Sequence, residues 1–303
     1  MENLELFLLN EQYSTTRLVS TKVLSVAEEN YCYPETLLFL PFIDDRKGEG
    51  GLRTQGYFKV SLPENPLVTV VTVVFNGEKY LERTILSVIN QDYDNIEYII
   101  IDGGSTDSTL DIVRHYEHAI DYWVSEPDKG IYDAMNKGVL CTKGEYVIHL
   151  NSDDYFEKNV ISRVVSKIKD NPGYDLYHGS LLVHKSSGKS VCRVGHNFLP
   201  TSMPAYQPTS FVRVSSVSNL EWFDTDYKIA SDFKFFKILR TQNFRFLNIN
   251  MLITHFSDGG ASSNSLARLT ELKLILLELG YLPIIVELLL LRIKVIEYLL
   301  PNS

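Results

Sequence analysis

The sequence predicts an α/β protein: a mostly parallel sheet flanked by helices and followed by a helical C-terminal tail. Three observations lead there. Four apolar runs, VTVVTVVF, IEYIII, DYWVS and EYVIHL, lie between residues 68 and 150, with helical periodicity between them. Each run ends in a polar cluster, and Asp102, Asp128 and the pair Asp153–Asp154 stand just past three of those ends. From residue 266 to 300 the pattern is helical and strongly apolar. Ligands of parallel sheets bind at the carboxyl ends of the strands, so the repetition gathers carboxylates where a ligand would sit.

The elements follow in order. Residues 1–65 read as an N-terminal extension that packs on the main domain, with the turn-rich DDRKGEGG inside it. Val68–Phe75 is a continuous Val-rich run, as in a strand buried on both faces. Gly77 turns the chain into a helix over Glu78–Gln91, with Leu81, Ile85, Val88 and Ile89 on one face. Ile96–Ile101 is the second strand. Gly103 and Gly104 end it, and Ser105 or Thr106 is placed to cap the next helix. Asp121–Ser125 and Glu145–Leu150 are the third and fourth strands, with a helix around Tyr132, Met135 and Asn136 between them and another over Glu157–Lys169. After Pro172 the spacing changes. Tyr174–Val183 and Ser190–Val194 read as strands joined by the turn SSGK, Tyr227–Thr241 as a helix, and Phe244–Ile253 as a strand leading to the loop HFSDGGASSN. In the tail, Pro283 predicts a kink, and Glu287, Arg292, Lys294 and Glu297 interrupt the apolar run. It is therefore read as packing on protein or as lying in a membrane interface, and not as a span.

Composition narrows the function. Lys+Arg 29 against Asp+Glu 38 gives a net charge of -9 with no basic block, which argues against nucleic-acid binding. Cys32, Cys141 and Cys192 are widely spaced and odd in number, so a disulfide framework or cysteine metal site is not expected. The acidic start MENLELFLLNEQ does not read as a secretion signal.

The carboxylates carry the chemistry. Adjacent acids at a strand end repel unless a cation lies between them, and an oxygen-rich site suits Mg²⁺ or Mn²⁺; the plain alternative for Asp153–Asp154 is a solvated turn. Asp102 precedes GGSTDST, where glycines let a ligand approach and a helix start offers N–H groups. Asp107 reads as a first-turn residue of that helix. Asp128 is either a pocket residue or a turn acid paired with Lys129. Asp232 is an N-cap or, if it faces the sheet edge, a base for an incoming hydroxyl. His255 is more often structural in such a position, with metal ligation as the lesser reading.

Taken together, VVFNGEKYLERTILSVINQDYDNIEYIIIDGGSTDST, SEPDKGIYDAMNKG and GEYVIHLNSDD resemble the nucleotide-sugar half of a glycosyltransferase family 2 enzyme, with a GT-A, Rossmann-like fold. The resemblance is close over 68–156. SMPAYQPTSFVR, IASDFKFF and HFSDGGASS extend it loosely toward residue 265, so it implies a GT-A domain at 66–265, divided into a nucleotide-sugar half (66–156) and an acceptor half (157–265), with a helical tail at 266–303. It resembles members that build bacterial exopolysaccharide, capsule or O-antigen. It implies inverting transfer from a nucleoside-diphosphate sugar, of UDP type, to a saccharide or lipid-linked acceptor. A cytoplasmic protein is expected, with a peripheral position at the inner face of the plasma membrane as the option the apolar tail offers. The implied roles are Phe75 and Asn76 bordering the base, Asp102 binding the nucleoside, Asp128 lining the nucleotide or sugar pocket, Asp153 contacting ribose or, through water, the metal, Asp154 ligating Mn²⁺ or Mg²⁺, and Asp232 as general base. The chain departs from the family where Gly103 replaces a second acid, where Met135 stands for an arginine, and where Tyr206–Gln207 stands for His-Gln. A nucleotidyltransferase, or a non-catalytic nucleotide-sugar-binding protein, is the alternative left open by the residues themselves. FNGEKYL has little of the glycine-rich, basic character that the first would need.

Overall fold

The structure, a computed structural model, describes residues 5–22, 36–185, 187–196, 199–257 and 265–299. Cys32, Ser186 of the SSGK turn and residues 258–264 of the glycine-rich loop lie outside the described residues. A short edge strand, β1 (Gly48–Gly50), precedes β2 (Val68–Val74), α1 (Leu81–Ile89), β3 (Ile96–Asp102), α2 (Thr109–His115), β4 (Tyr122–Ser125), α3 (Ile131–Leu140) and β5 (Tyr146–His149). Then come β6 (Tyr155–Phe156), α4 (Val160–Asp170), β7 (Leu176–His184), β8 (Ser190–Val194), β9 (Ser210–Arg213), α5 (Ser231–Thr241), β10 (Phe246–Ser257), α6 (Ser265–Glu278) and α7 (Pro283–Leu299).

One sheet runs in the order β1-β4-β3-β2-β5-β9-β7-β10-β6, with β8 paired to β7. Neighbours within β4-β3-β2-β5 are parallel, so their carboxyl ends share one edge. The pattern turns mixed beyond β5, where β9 lies antiparallel to both β5 and β7 while β10 runs parallel to β7. The continuous valine run of β2 is explained by burial on both faces. Val68, Val70 and Val74 join Leu81, Ile85 and Val88 of α1 and Val160 and Val164 of α4 in one core. Val71 and Val73 join Tyr132 and Met135 of α3 and Phe235 and Phe236 of α5 in the other. Each fully buried aliphatic side chain adds about 1.5–3 kcal/mol. Helix α3 lies close on β2 because Gly138 faces Val71; a Cβ there would lie 2.3 Å from Val71 Cγ1.

Several helix starts differ from the sequence reading. The first helix begins at Leu81, after a turn over Gly77–Tyr80. The second begins at Thr109. Ser105 is engaged elsewhere, and the Asp107 carboxylate accepts the Thr109 N–H at 3.0 Å in its place. The helix expected from Tyr227 begins at Ser231, and Tyr227 instead packs against the tail with Leu272 and Leu276. Pro283 opens α7 after a turn in which Gly280 has φ 85°, so the tail is two helices and not one kinked helix.

The segment before β2 is tied to the sheet. Strand β1 lies antiparallel on β4. The Arg53 guanidinium, buried, donates to the Glu97 carboxylate of β3 at 2.5 Å and to the Leu38 and Cys141 carbonyls. Glu97 also accepts from Thr69 Oγ1 at 2.6 Å and Lys143 N at 2.8 Å. In the tail, Val286 and Leu290 of α7 are buried with Leu269 and Leu276 of α6, while Ile284, Leu288, Leu291, Val295 and Leu299 are exposed. No helix among the described residues is long and apolar enough to cross a membrane.

Candidate active site

The tips of β2, β3 and β4 meet in one hydrogen-bonded cluster. Asn76 takes the left-handed conformation (φ 51°) that asparagine tolerates. Its N–H donates to Ser105 Oγ at 2.7 Å, and its Oδ1 accepts the Thr106 N–H at 2.9 Å. Phe75 beside it is 64% exposed, a large aromatic face left open at a strand tip. Asp102 is buried, and its carboxylate is engaged within the protein. Oδ2 accepts from Ser105 N at 3.0 Å and Ser125 Oγ at 2.5 Å, and Oδ1 accepts from Ser105 Oγ. It thus fixes the GGS turn and joins the β3 and β4 tips, with hydroxyl donors that can rotate away.

Asp128 lies against the same turn. Its Oδ1 accepts the Gly130 N–H at 2.8 Å, while the Lys129 backbone N–H goes to Asp133, so Asp128 caps the turn before α3. A Cβ on Gly103 would fall 2.4 Å from Asp128 Oδ2. The acid absent from position 103 is therefore matched by a carboxylate that occupies its space from the neighbouring loop. Burial, opposed by the Gly130 N–H and Lys137, raises the Asp128 carboxyl above its ordinary value, with the charges of Asp133 and Asp102 adding to the rise.

The aspartate pair follows β5 and leads into β6. Pairing of His255 with Tyr155 and Thr254 with Phe156 brings β10 alongside. The Asp153 carbonyl accepts from Arg83 Nη2 and Ser257 Oγ, each at 2.6 Å, and the Asp154 carbonyl accepts from Thr84 Oγ1 at 2.6 Å. The Asp154 side chain is fully buried. Its Oδ1 accepts the Ser257 N–H at 3.1 Å, whereas Oδ2 is buried with no hydrogen-bond partner. Burial, and then the charge of Asp153, push the Asp154 carboxyl well above the usual carboxylate range, and burial raises Asp153 as well. A buried anionic oxygen without a donor is costly unless a proton or a cation serves it, and Asp154 Oδ2 is a hard oxygen donor of the kind a divalent metal takes. No cluster of three or more His, Cys, Asp or Glu side chains among the described residues completes a metal shell.

Asp232 sits in the first turn of α5. Its Oδ1 accepts from Phe233 N at 2.8 Å and from the Tyr132 hydroxyl of α3 at 3.1 Å, and burial pushes its carboxyl up to about 6. His255 has both ring nitrogens engaged: Nδ1 lies 2.9 Å from His184 Nε2, and Nε2 lies 2.9 Å from Glu157 Oε2. With Tyr155 stacked on its ring at 4.5 Å, His255 here braces β6 against β10. Asn136 holds the Phe223 backbone through both its amide groups, and Met135 is buried in the core. Sequence reasoning did not find Arg83, Thr84, Ser257, Tyr132 or Glu271. Arg83, Thr84, Tyr132 and Ser257 stood inside quoted motifs without being singled out, and Glu271 of α6 lay outside them.

The fold and the site define a GT-A-type sheet edge: parallel strand tips lined with carboxylates, followed by a mixed sheet and a helix bearing a further, half-buried acid. The comparisons agree on the fold. Residues 1–349 of S. aureus TarS, solved with UDP, superimpose with a TM-score of 0.56 at 18% identity, over 78% of this chain and 73% of that one. A mannosyltransferase from Pyrobaculum calidifontis, solved with GDP-Man and Mn²⁺, gives 0.52 at 18% identity, over 69% of this chain and 62% of that one. In sequence, an uncharacterized glycosyltransferase of Mycobacterium tuberculosis is 33% identical over 180 residues, covering 56% of this chain and 67% of that protein. A Haemophilus influenzae relative, also an uncharacterized glycosyltransferase, is 29% identical over 190 residues, covering 56% of this chain and 59% of that protein. The model of glycosyl transferase family 2 matches residues 69–218. The chain belongs to glycosyltransferase family 2 and is a glycosyltransferase.

Proposed function

We propose that this chain is an inverting, metal-dependent transferase that moves a sugar from a nucleoside-diphosphate sugar, of UDP type, to a saccharide or lipid-linked acceptor in cell-surface polysaccharide synthesis. The observation that carries the reading is the buried Asp154 Oδ2, unpartnered beside Asp153 at the edge where the strand tips converge. Solved relatives of the same fold hold UDP, or GDP-Man with Mn²⁺, which supports the donor class.

In this reading Phe75 and Asn76 border the base. Asp128 lines the nucleotide pocket, and Asp102 reaches the nucleoside by releasing a serine hydroxyl. Asp154 would hold Mn²⁺ or Mg²⁺, with Asp153 contacting ribose or, through water, the metal. The rest of its shell would come from diphosphate oxygens and water, as is usual for Mg²⁺. When bound, such an ion supplies Lewis-acid stabilisation of the departing diphosphate. Asp232 takes the proton of the acceptor hydroxyl. The acceptor oxygen then bonds to the anomeric carbon as the bond to the β-phosphate oxygen breaks, and the electron pair leaves with the nucleoside diphosphate. One in-line displacement inverts the anomeric centre. A carboxyl with a value of about 6 suits this work, since it is ionised at neutral pH yet more basic than an ordinary aspartate.

Helix α7 supplies the peripheral contact at the inner face of the plasma membrane. Ile284, Leu288, Leu291, Val295 and Leu299 form an exposed apolar stripe, with exposed Arg292 and Lys294 placed to meet anionic headgroups. Cosedimentation with anionic liposomes should be lost in Leu288→Glu/Leu291→Glu; unchanged binding would remove this contact. The catalytic reading predicts that Asp154→Asn abolishes sugar transfer while thermal melting shows a folded chain. Normal turnover with normal metal dependence in that variant would overturn it.

A further inference from the structure

The base-bearing helix is held from two sides by residues outside the strand tips. Glu271 of α6 reaches the turn before α5 and accepts three backbone N–H groups: Lys228 at 2.8 Å through Oε1, and Ile229 at 2.9 Å and Ala230 at 2.8 Å through Oε2. All three lie in the turn that leads into α5, Ala230 being its N-cap, so Glu271 fixes the entry to the helix. The other side of the Ile229 residue is gripped as well, because its carbonyl accepts the Tyr132 hydroxyl at 2.8 Å. That same hydroxyl lies 3.1 Å from Asp232 Oδ1. A phenol has one proton, so Tyr132 can donate to only one of these two acceptors at a time.

Which acceptor it serves depends on the charge of Asp232. An ionised carboxylate is the stronger acceptor and draws the proton. Once Oδ2 has taken a proton, Oδ1 is a neutral carbonyl oxygen, and the closer Ile229 carbonyl competes successfully. We propose that Tyr132, seated by Glu271 through the Ile229 peptide, is a positioning residue for Asp232, its hydroxyl turning between the Ile229 carbonyl and Asp232 Oδ1 as the base gains and loses the acceptor's proton. No proton leaves Tyr132 in this cycle; the acceptor's proton ends on Asp232 Oδ2, and only the phenol rotor moves. The proposal rests on the reading of Asp232 as the base.

Among the described residues, the titratable groups that act on Asp232 are Tyr132 from α3, Glu271 from α6 and Tyr206 from the loop before β9. Tyr132 favours the ionised carboxylate by donating to it, and the Glu271 charge disfavours it. The two variants should therefore shift the base in opposite directions. The test is a pH titration by NMR of the full chain carrying ¹³C-carboxyl aspartate, with the Asp232 resonance assigned by its loss in Asp232→Asn. In the parent it should titrate at about 6. In Tyr132→Phe, which keeps the ring against Phe223, it should move up by about one pH unit, and in Glu271→Gln it should move down. An Asp232 titration unchanged by Tyr132→Phe, in a chain that melts like the parent, overturns the proposal while leaving the base reading standing. A parent carboxyl that titrates in the ordinary aspartate range near 4 would remove the support for the base reading itself.

Discussion

Gly103 offers a steric test of the nucleotide pocket. A Cβ added there would lie 2.4 Å from Asp128 Oδ2, 3.1 Å from Asp128 Cγ and 3.4 Å from Phe75 Cδ2. Nonbonded carbon contacts are comfortable at about 3.5 Å or beyond, so in Gly103→Ala the carboxylate must retreat by roughly 1 Å. Gly103 is not among the glycines with positive φ, so alanine brings no backbone strain and the effect is confined to that contact. The retreat works against the Gly130 N–H bond at 2.8 Å and displaces the Asp128 carboxylate from its place in the proposed nucleoside pocket, while Phe75 at 3.4 Å stays in ordinary contact. Loss of one such hydrogen bond costs about 0.5–1.5 kcal/mol. The upper part of that range corresponds to a roughly tenfold rise in Kd. Calorimetric titration with UDP in the presence of Mn²⁺ would read the change, and a melting curve close to the parent's would show that the fold is intact. A Kd within twofold of the parent's would refute the placement of Asp128 in the pocket.

Three further outcomes follow from the packing and the charges. Glu97→Gln leaves the buried Arg53 guanidinium without its counter-charge and should cost about 3–5 kcal/mol, seen as a lower urea midpoint at unchanged slope. Gly138→Ala presses a methyl group into Val71 and should cost about 1–3 kcal/mol in the same assay. The acid limb of the transfer rate should report Asp232: with a value of about 6, protonation removes the base as pH falls, and kcat/KM drops about tenfold per unit below it. A rate that is flat between pH 7 and 4.5 would contradict the assignment.

The parallel part of the fold was legible because its strands are buried on both faces. Continuous runs such as VTVVTVV admit few other readings, and each strand end carried its own polar marker. Helix starts were less legible because the groups that serve them come from elsewhere. Ser105 looked like a cap by its position before the helix, yet it serves Asp102 and Asn76, and the turn before α5 is capped from α6 by Glu271, some forty residues downstream. The same reason explains what was missed at the site. Aspartates announced themselves at strand ends, but Arg83 reaches the pair from α1, and Ser257 meets it because β10 returns beside β6. Tyr132 reads as a core residue of an amphipathic helix, and only the approach of α5 reveals its hydroxyl at the Asp232 carboxylate.

The central claim is a metal-completed donor site at Asp154. Isothermal titration of UDP, with GDP in parallel, each with and without Mn²⁺, on the parent chain and on Asp154→Asn, tests it most directly. The account predicts UDP binding that requires the metal and disappears in Asp154→Asn. Binding of either nucleotide that is indifferent to Mn²⁺ and to Asp154 would contradict it.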